Sequence, residues 1–78
     1  MEADFDPKDF LLFGLQHFGL RVQREEDHMV YIEQGYIVEI EGRQLYKLLQ
    51  NNQVIAPFTS VEELCNFIKM DMQLNEKG

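Results

Sequence analysis

The apolar positions of this chain follow three different rhythms. From Phe10 to Phe18 they are almost unbroken, as Phe10-Leu11-Leu12-Phe13-Gly14-Leu15-Gln16-His17-Phe18. Between Leu20 and Ala56 they tend to alternate with polar residues, and from Val61 to Met72 they return at intervals of three and four. A period near 3.6 marks a helix and a period of two marks a strand. The pattern therefore predicts a helix at each end and strands between.

The first helix carries a full set of start signals. Asp6 is placed as the N-cap, Pro7 takes the first helical position, and Asp9 lies three residues after the cap. Phe5 and Phe10 are spaced to form a hydrophobic staple, and the acidic side chains suit the positive end of the helix dipole. Gly19 supplies the left-handed residue that ends many helices. Apolar side chains cover most of the circumference here, so this helix calls for cover on more than one side. The second helix, the chain termini or another subunit would provide it. Gly14 costs about 1 kcal/mol relative to Ala in mid-helix and is read as a close approach to the sheet or to the partner helix.

The middle of the chain reads as strands. Leu20 to Arg24 alternates, Glu25-Glu26-Asp27-His28 is a polar turn, Met29 to Glu33 follows, and Gln34-Gly35 is a turn or bulge. Tyr36 to Glu41 has a strict period of two, the mark of a strand with one dry and one wet face. Gly42 marks a tight turn, Gln44 to Gln50 is a further strand, and Asn51-Asn52 is a hairpin turn because Asn tolerates positive φ. Val54-Ile55-Ala56 is a short edge strand, stopped by Pro57. Such short turns imply an antiparallel meander, since parallel strands need long crossovers.

Ser60 with Glu63 forms a capping box for the second helix, and Thr59 with Glu62 is an overlapping option. Val61, Leu64, Cys65, Ile68 and Met72 make one helical face, with Phe67 at its flank. Gln73 to Gly78 has no apolar face. The fold class expected is α+β: an antiparallel β-meander of four or five strands with the N-terminal and C-terminal helices packed on one face, in α-β-β-β-β-β-α order. One domain covers residues 1–78, with fraying at 1–4 and 74–78. The phrase Phe58-Thr59-Ser60-Val61-Glu62-Glu63-Leu64 joins hairpin to capped helix for a physical reason and points to no family.

Two helices of this length roof one side of a small sheet and leave the other bare. Tyr36, Val38 and Ile40 should face the helices, with Val30 and Ile32. Met29, Tyr31, Glu33, Ile37, Glu39 and Glu41 then face outward. Leu45-Tyr46-Lys47-Leu48-Leu49 has apolar side chains on both sides; if Lys47 is outside, Leu45 and Leu49 are outside with it. An apolar centre ringed by charge is the make-up of a protein-binding surface. The bland alternative is that scattered exposed apolar residues are ordinary.

Composition narrows the functional classes. The 78 residues hold 14 acidic and 7 basic side chains, a formal net charge of −7. Residues 1–9 carry a net −3, residues 29–42 another −3, and residues 43–50 a net +2. An acidic balance argues against binding nucleic acid directly, because such affinity comes mainly from Lys and Arg neutralising phosphates. It favours a basic protein partner through complementary potential. No apolar run reaches the roughly 18 residues that span a bilayer, and the first residues are acidic where a signal peptide is basic. With one cysteine, the expectation is a cytoplasmic protein that inserts in no membrane.

Enzyme chemistry is not expected. The glycines lie far apart and form no phosphate loop. His17 sits on a crowded apolar helix and reads as a packed, hydrogen-bonded histidine, while His28 closes an acidic turn without the ligand spacing of a calcium loop. Cys65 with two histidines falls short of a zinc set and reads as a buried, inert thiol. No cofactor, metal or catalytic residue is assigned. The reading is a small non-catalytic protein-interaction or regulatory module. Its candidate partner-binding residues are Met29, Tyr31, Glu33, Ile37, Glu39, Glu41 and Lys47. Alternatives are an acidic mimic that blocks a nucleic-acid-binding protein, and a structural homodimer.

Overall fold

A computed structural model describes residues 6–42 and 45–77. The elements run α1 (Pro7–His17), β1 (Val22–Glu25), β2 (Met29–Ile32), a short 3-10 turn (Glu33–Gly35), β3 (Tyr36–Glu41), β4 (Leu45–Gln50), β5 (Gln53–Phe58) and α2 (Val61–Lys77). All five strands form one antiparallel sheet in the order β1-β2-β3-β4-β5, each paired with its neighbour in sequence. This is the expected α-β5-α meander.

Local chemistry fixes the helix ends. The Asp6 carboxylate accepts the Lys8 N–H at 3.0 Å. Pro7 follows the cap, as its fixed φ favours. At the other end Gly19, at φ +76, lets its own N–H reach the Gln16 carbonyl at 3.0 Å and the Leu20 N–H reach the Leu15 carbonyl at 2.8 Å. That pair of bonds is a Schellman motif, sealed by contact of its flanking apolar residues, here the buried Leu15 and Leu20. The Ser60 hydroxyl caps α2 by accepting the Glu63 N–H at 3.3 Å.

The core lies between the two helices and one side of the sheet. Leu11 and Leu15 of α1 and Leu64, Cys65 and Ile68 of α2 meet Val30, Ile32, Tyr36, Val38 and Leu48, all within one cluster. Gly14 marks the crossing of the helices: a Cβ built there would come within 2.4 Å of Val61 Cγ1. The close approach is thus to the partner helix. The Tyr36 hydroxyl donates to Asp71 and ties α2 to the sheet. Lys69 Nζ donates to the Phe18 carbonyl at 3.2 Å, joining α2 to the end of α1.

Several boundaries differ from expectation. Pro57 does not stop β5: Lys47 pairs with Pro57 and Tyr46 with Phe58. An outermost strand tolerates proline because one row of its N–H groups has no ladder partner. The first strand begins at Val22, while Leu20 is consumed by the helix cap. Helix α2 continues past Gln73 to Lys77 although Leu74 is exposed, since good helix formers extend a nucleated helix without a buried face. On the second side of α1, Phe10 is 50% and Phe13 67% exposed. Phe5, the staple partner, lies outside the described residues, as do residues 1–4, Gln44 and Gly78.

Candidate functional site

Among the described residues nothing covers the second face of the sheet. Strand alternation sends Tyr46 and Leu48 inward, which settles β4: Leu45, Lys47 and Leu49 are outward and half-buried. The same alternation in β2 and β3 sends Met29, Tyr31, Ile37, Glu39 and Glu41 to that outer face. Residues directly opposite in an antiparallel pair share a face, so the register arranges these side chains in rows across the strands. One row runs Arg24, Tyr31, Ile37, Leu49, Val54 through all five strands. A second, displaced by two residues along β2, β3 and β4 and by three along the bulged β5, runs Met29, Glu39, Lys47, Pro57. Glu41 opposite Leu45 makes a third.

The first row is apolar over four strands and ends on a cation. The Arg24 guanidinium lies 5.2 Å from the centre of the Tyr31 ring, where the ring quadrupole attracts it. Its other partner is the Glu26 carboxylate, which also accepts the Tyr31 hydroxyl at 3.5 Å. Val54, at the opposite end, is 58% exposed. The second row is charged at its centre, with Glu39 opposite Lys47. Lys47 Nζ stands 3.0 Å from Glu41, and that bonded carboxylate, followed by Glu39, holds the ammonium above its ordinary range. The face therefore carries an apolar band beside a band of alternating charge.

Six of the seven sequence-derived candidates, Met29, Tyr31, Ile37, Glu39, Glu41 and Lys47, meet on this surface. Glu33 does not. It falls in the 3-10 turn after β2, its carboxylate accepts the Arg21 N–H at 3.3 Å, and its own N–H donates to the Arg21 carbonyl at 3.0 Å. Alternation ends with the strand, so Glu33 serves the sheet's end and not its face. Arg24, Leu49 and Val54 complete the apolar row. Val54 had a legible signal: a two-residue Asn51-Asn52 turn fixes Gln50 opposite Gln53 and hence Leu49 opposite Val54.

Elsewhere the reactive side chains are dispersed. Cys65 is fully buried, and desolvation pushes its thiol up to about 11. His17 is exposed, correcting the packed reading, and its ring lies against Phe13 at 6.4 Å and Phe18 at 5.7 Å. His28 is exposed, and its carbonyl accepts the Ile40 N–H at 2.8 Å. Among the described residues, no group of three or more His, Cys, Asp or Glu side chains is placed to hold a metal ion, and no helix is long and apolar enough to cross a membrane. A hollow of about 400 Å³ at the end of α1 is lined by Leu12, Gln16, Gly19, Leu20, Arg21 and Val22, with Arg21 its one ionisable group. A groove of about 220 Å³ runs between Phe10 and Phe13 of the first helix, its C-cap Phe18, and Val61 of the second.

Compared with known protein families, with curated proteins and with solved structures, the chain finds no match.

Proposed function

We propose that this protein is a non-catalytic interaction module that binds a protein partner through the open face of its sheet. One observation carries the reading: the apolar row Tyr31-Ile37-Leu49-Val54 crosses four strands on the side that neither helix covers. Apolar surface left in water at the centre of a face, with charge beside it, gains free energy when a partner excludes that water. Two of the three carboxylates on this side are held in pairs, Glu26 with Arg24 and Glu41 with Lys47. Their pairing supports an interaction face over an unbroken acidic surface that imitates a nucleic acid.

A photoreactive residue at Ile37, compared with one at Glu63 on exposed helix α2, tests the assignment. In extracts of the source cells, cross-linking is expected from position 37 and not from position 63, and Tyr31→Lys should suppress it. Equal capture from both positions, or none from position 37, would remove the face as the binding surface.

A further inference from the structure

We infer that the partner of this face is a second copy of the same chain, bound as a two-fold sandwich whose axis runs parallel to the strands between β3 and β4. The inference rests on the interaction reading above and adds the identity of the occupant. A two-fold axis in that position lays β3 of one copy over β4 of the other, and β2 over β5. Each residue then meets the residue it already faces across the β3–β4 seam, but in the other molecule. Ile37 meets Leu49 of the second copy, and Glu39 meets Lys47 of the second copy, because these are the registered pairs. One strand further out, Tyr31 meets Val54 of the second copy.

Three observations favour this occupant. The first is charge complementarity. Around the axis the two Glu39 carboxylates and two Lys47 ammoniums alternate in sign, so the contact is attractive from both sides. The alternative two-fold, along the apolar row, would set Glu39 over Gly35 and Lys47 over Asn51 at the turn end of the sheet, and neither of those residues carries an opposite charge. On a chain of net charge −7, the open face is nearly balanced, with Arg24 and Lys47 against Glu26, Glu39 and Glu41. The second is size. Three strands of six residues and two of four, about 4.8 Å apart, give a footprint of roughly 400 Å². With side-chain relief this comes below the ~800 Å² per partner of a standard interface, in the size class of weak, reversible complexes. The third is the condition of the edges. Gln23, Arg24 and Glu25 are exposed along β1, and Pro57 has no N–H to offer a further strand beside β5. Both devices oppose edge-to-edge continuation and leave face-to-face packing, at the usual angle of about 30° between aligned sheets. The pairs nearest the axis are displaced least by that angle.

Sedimentation velocity with charge-reversed variants tests the geometry. Wild type at about 100 μM, a concentration that populates weak complexes, should sediment as a dimer. Lys47→Glu alone and Glu39→Lys alone should each sediment as monomers, because each sets like charges around the axis. An equimolar mixture of the two should recover the dimer, since positions 39 and 47 are both acidic in the first variant and both basic in the second. Within each variant chain the seam stays like-charged, so recovery on mixing reports the contact between molecules. Val54→Glu, at an exposed position the monomer's core does not use, should weaken the dimer about 30-fold even if the seam variants fail to fold. A monomeric wild type, a dimer indifferent to Val54→Glu, or folded seam variants that stay monomeric when mixed would overturn the inference. A monomeric wild type whose position 37 still cross-links another protein leaves the interaction reading standing; no capture at position 37 removes both.

Discussion

A Cβ placed on Gly14 would sit 2.4 Å from Val61 Cγ1 and 3.8 Å from Cys65 Sγ. Val61 is buried and β-branched, so in a helix it has essentially one rotamer and little room to yield. Gly14→Ala therefore gains about 1 kcal/mol of helix propensity yet forces the helices apart, and a net loss of about 1–2 kcal/mol is expected in urea denaturation. In a double-mutant cycle, Gly14→Ala with Val61→Ala should cost less than the sum of the two, because the smaller side chain vacates the clash. Additive losses would mean that the crossing is not where the glycine acts. Cys65 gives a second prediction at this scale. Its folded thiol holds a proton to about 11, while the unfolded thiol releases it from 9.0. The folded state binds more protons in that window, so stability is full below pH 9 and falls as pH rises toward 11. Burial of Tyr46 raises its phenol from 10.0 and adds the same sign above that pH. Thermal denaturation across this range should show the decline, and Cys65→Ala should remove its lower part.

The β4–β5 hairpin shows how far element chemistry reaches. Asn51 and Asn52 hold φ values of 55° and 66°, the pair of left-handed residues that a two-residue turn with the right twist requires. Asn52→Gly is expected to keep or raise the melting temperature. Asn52→Val should lose about 1–2 kcal/mol, because a Cβ-branched residue pays the full left-handed penalty. A valine variant as stable as wild type would contradict the turn assignment. The same chemistry explains what could be read beforehand. Asp6-Pro7, Ser60 with Glu63, and Tyr36 to Glu41 state their structures locally, through caps and through alternation. Elements whose limits depend on neighbours did not. Phe58 looks like a linker until Tyr46 pairs with it, and Leu20 looks like a strand residue until its N–H is claimed by Leu15. Helix α2 outlasts its apolar face because nucleation, once achieved, lets ordinary helix formers follow.

At the scale of the whole molecule, the bare face was readable from arithmetic: two helices roof one side, and alternation names Tyr31, Ile37, Glu39 and Lys47 on the other. Its internal order was not, because rows across strands come from register, and register combines turn lengths with bulges. The shift between Leu48 and Leu49 brings Val54 beside Leu49 while Ala56 still faces Leu48. Glu33 shows the converse, since alternation projected it onto a face that the strand ends before reaching. The meander has one more consequence. Every strand follows its neighbour in sequence, and the helix that completes the roof comes after all five. During synthesis at about 5–20 residues per second, the strands leave the ribosome in pairing order, each able to form its hairpin at once. Val38 and Leu48 nevertheless lack the cover of Leu64 and Ile68 until that segment has emerged, so the nascent chain passes through an interval in which the inner side of its sheet has α1 alone for a roof.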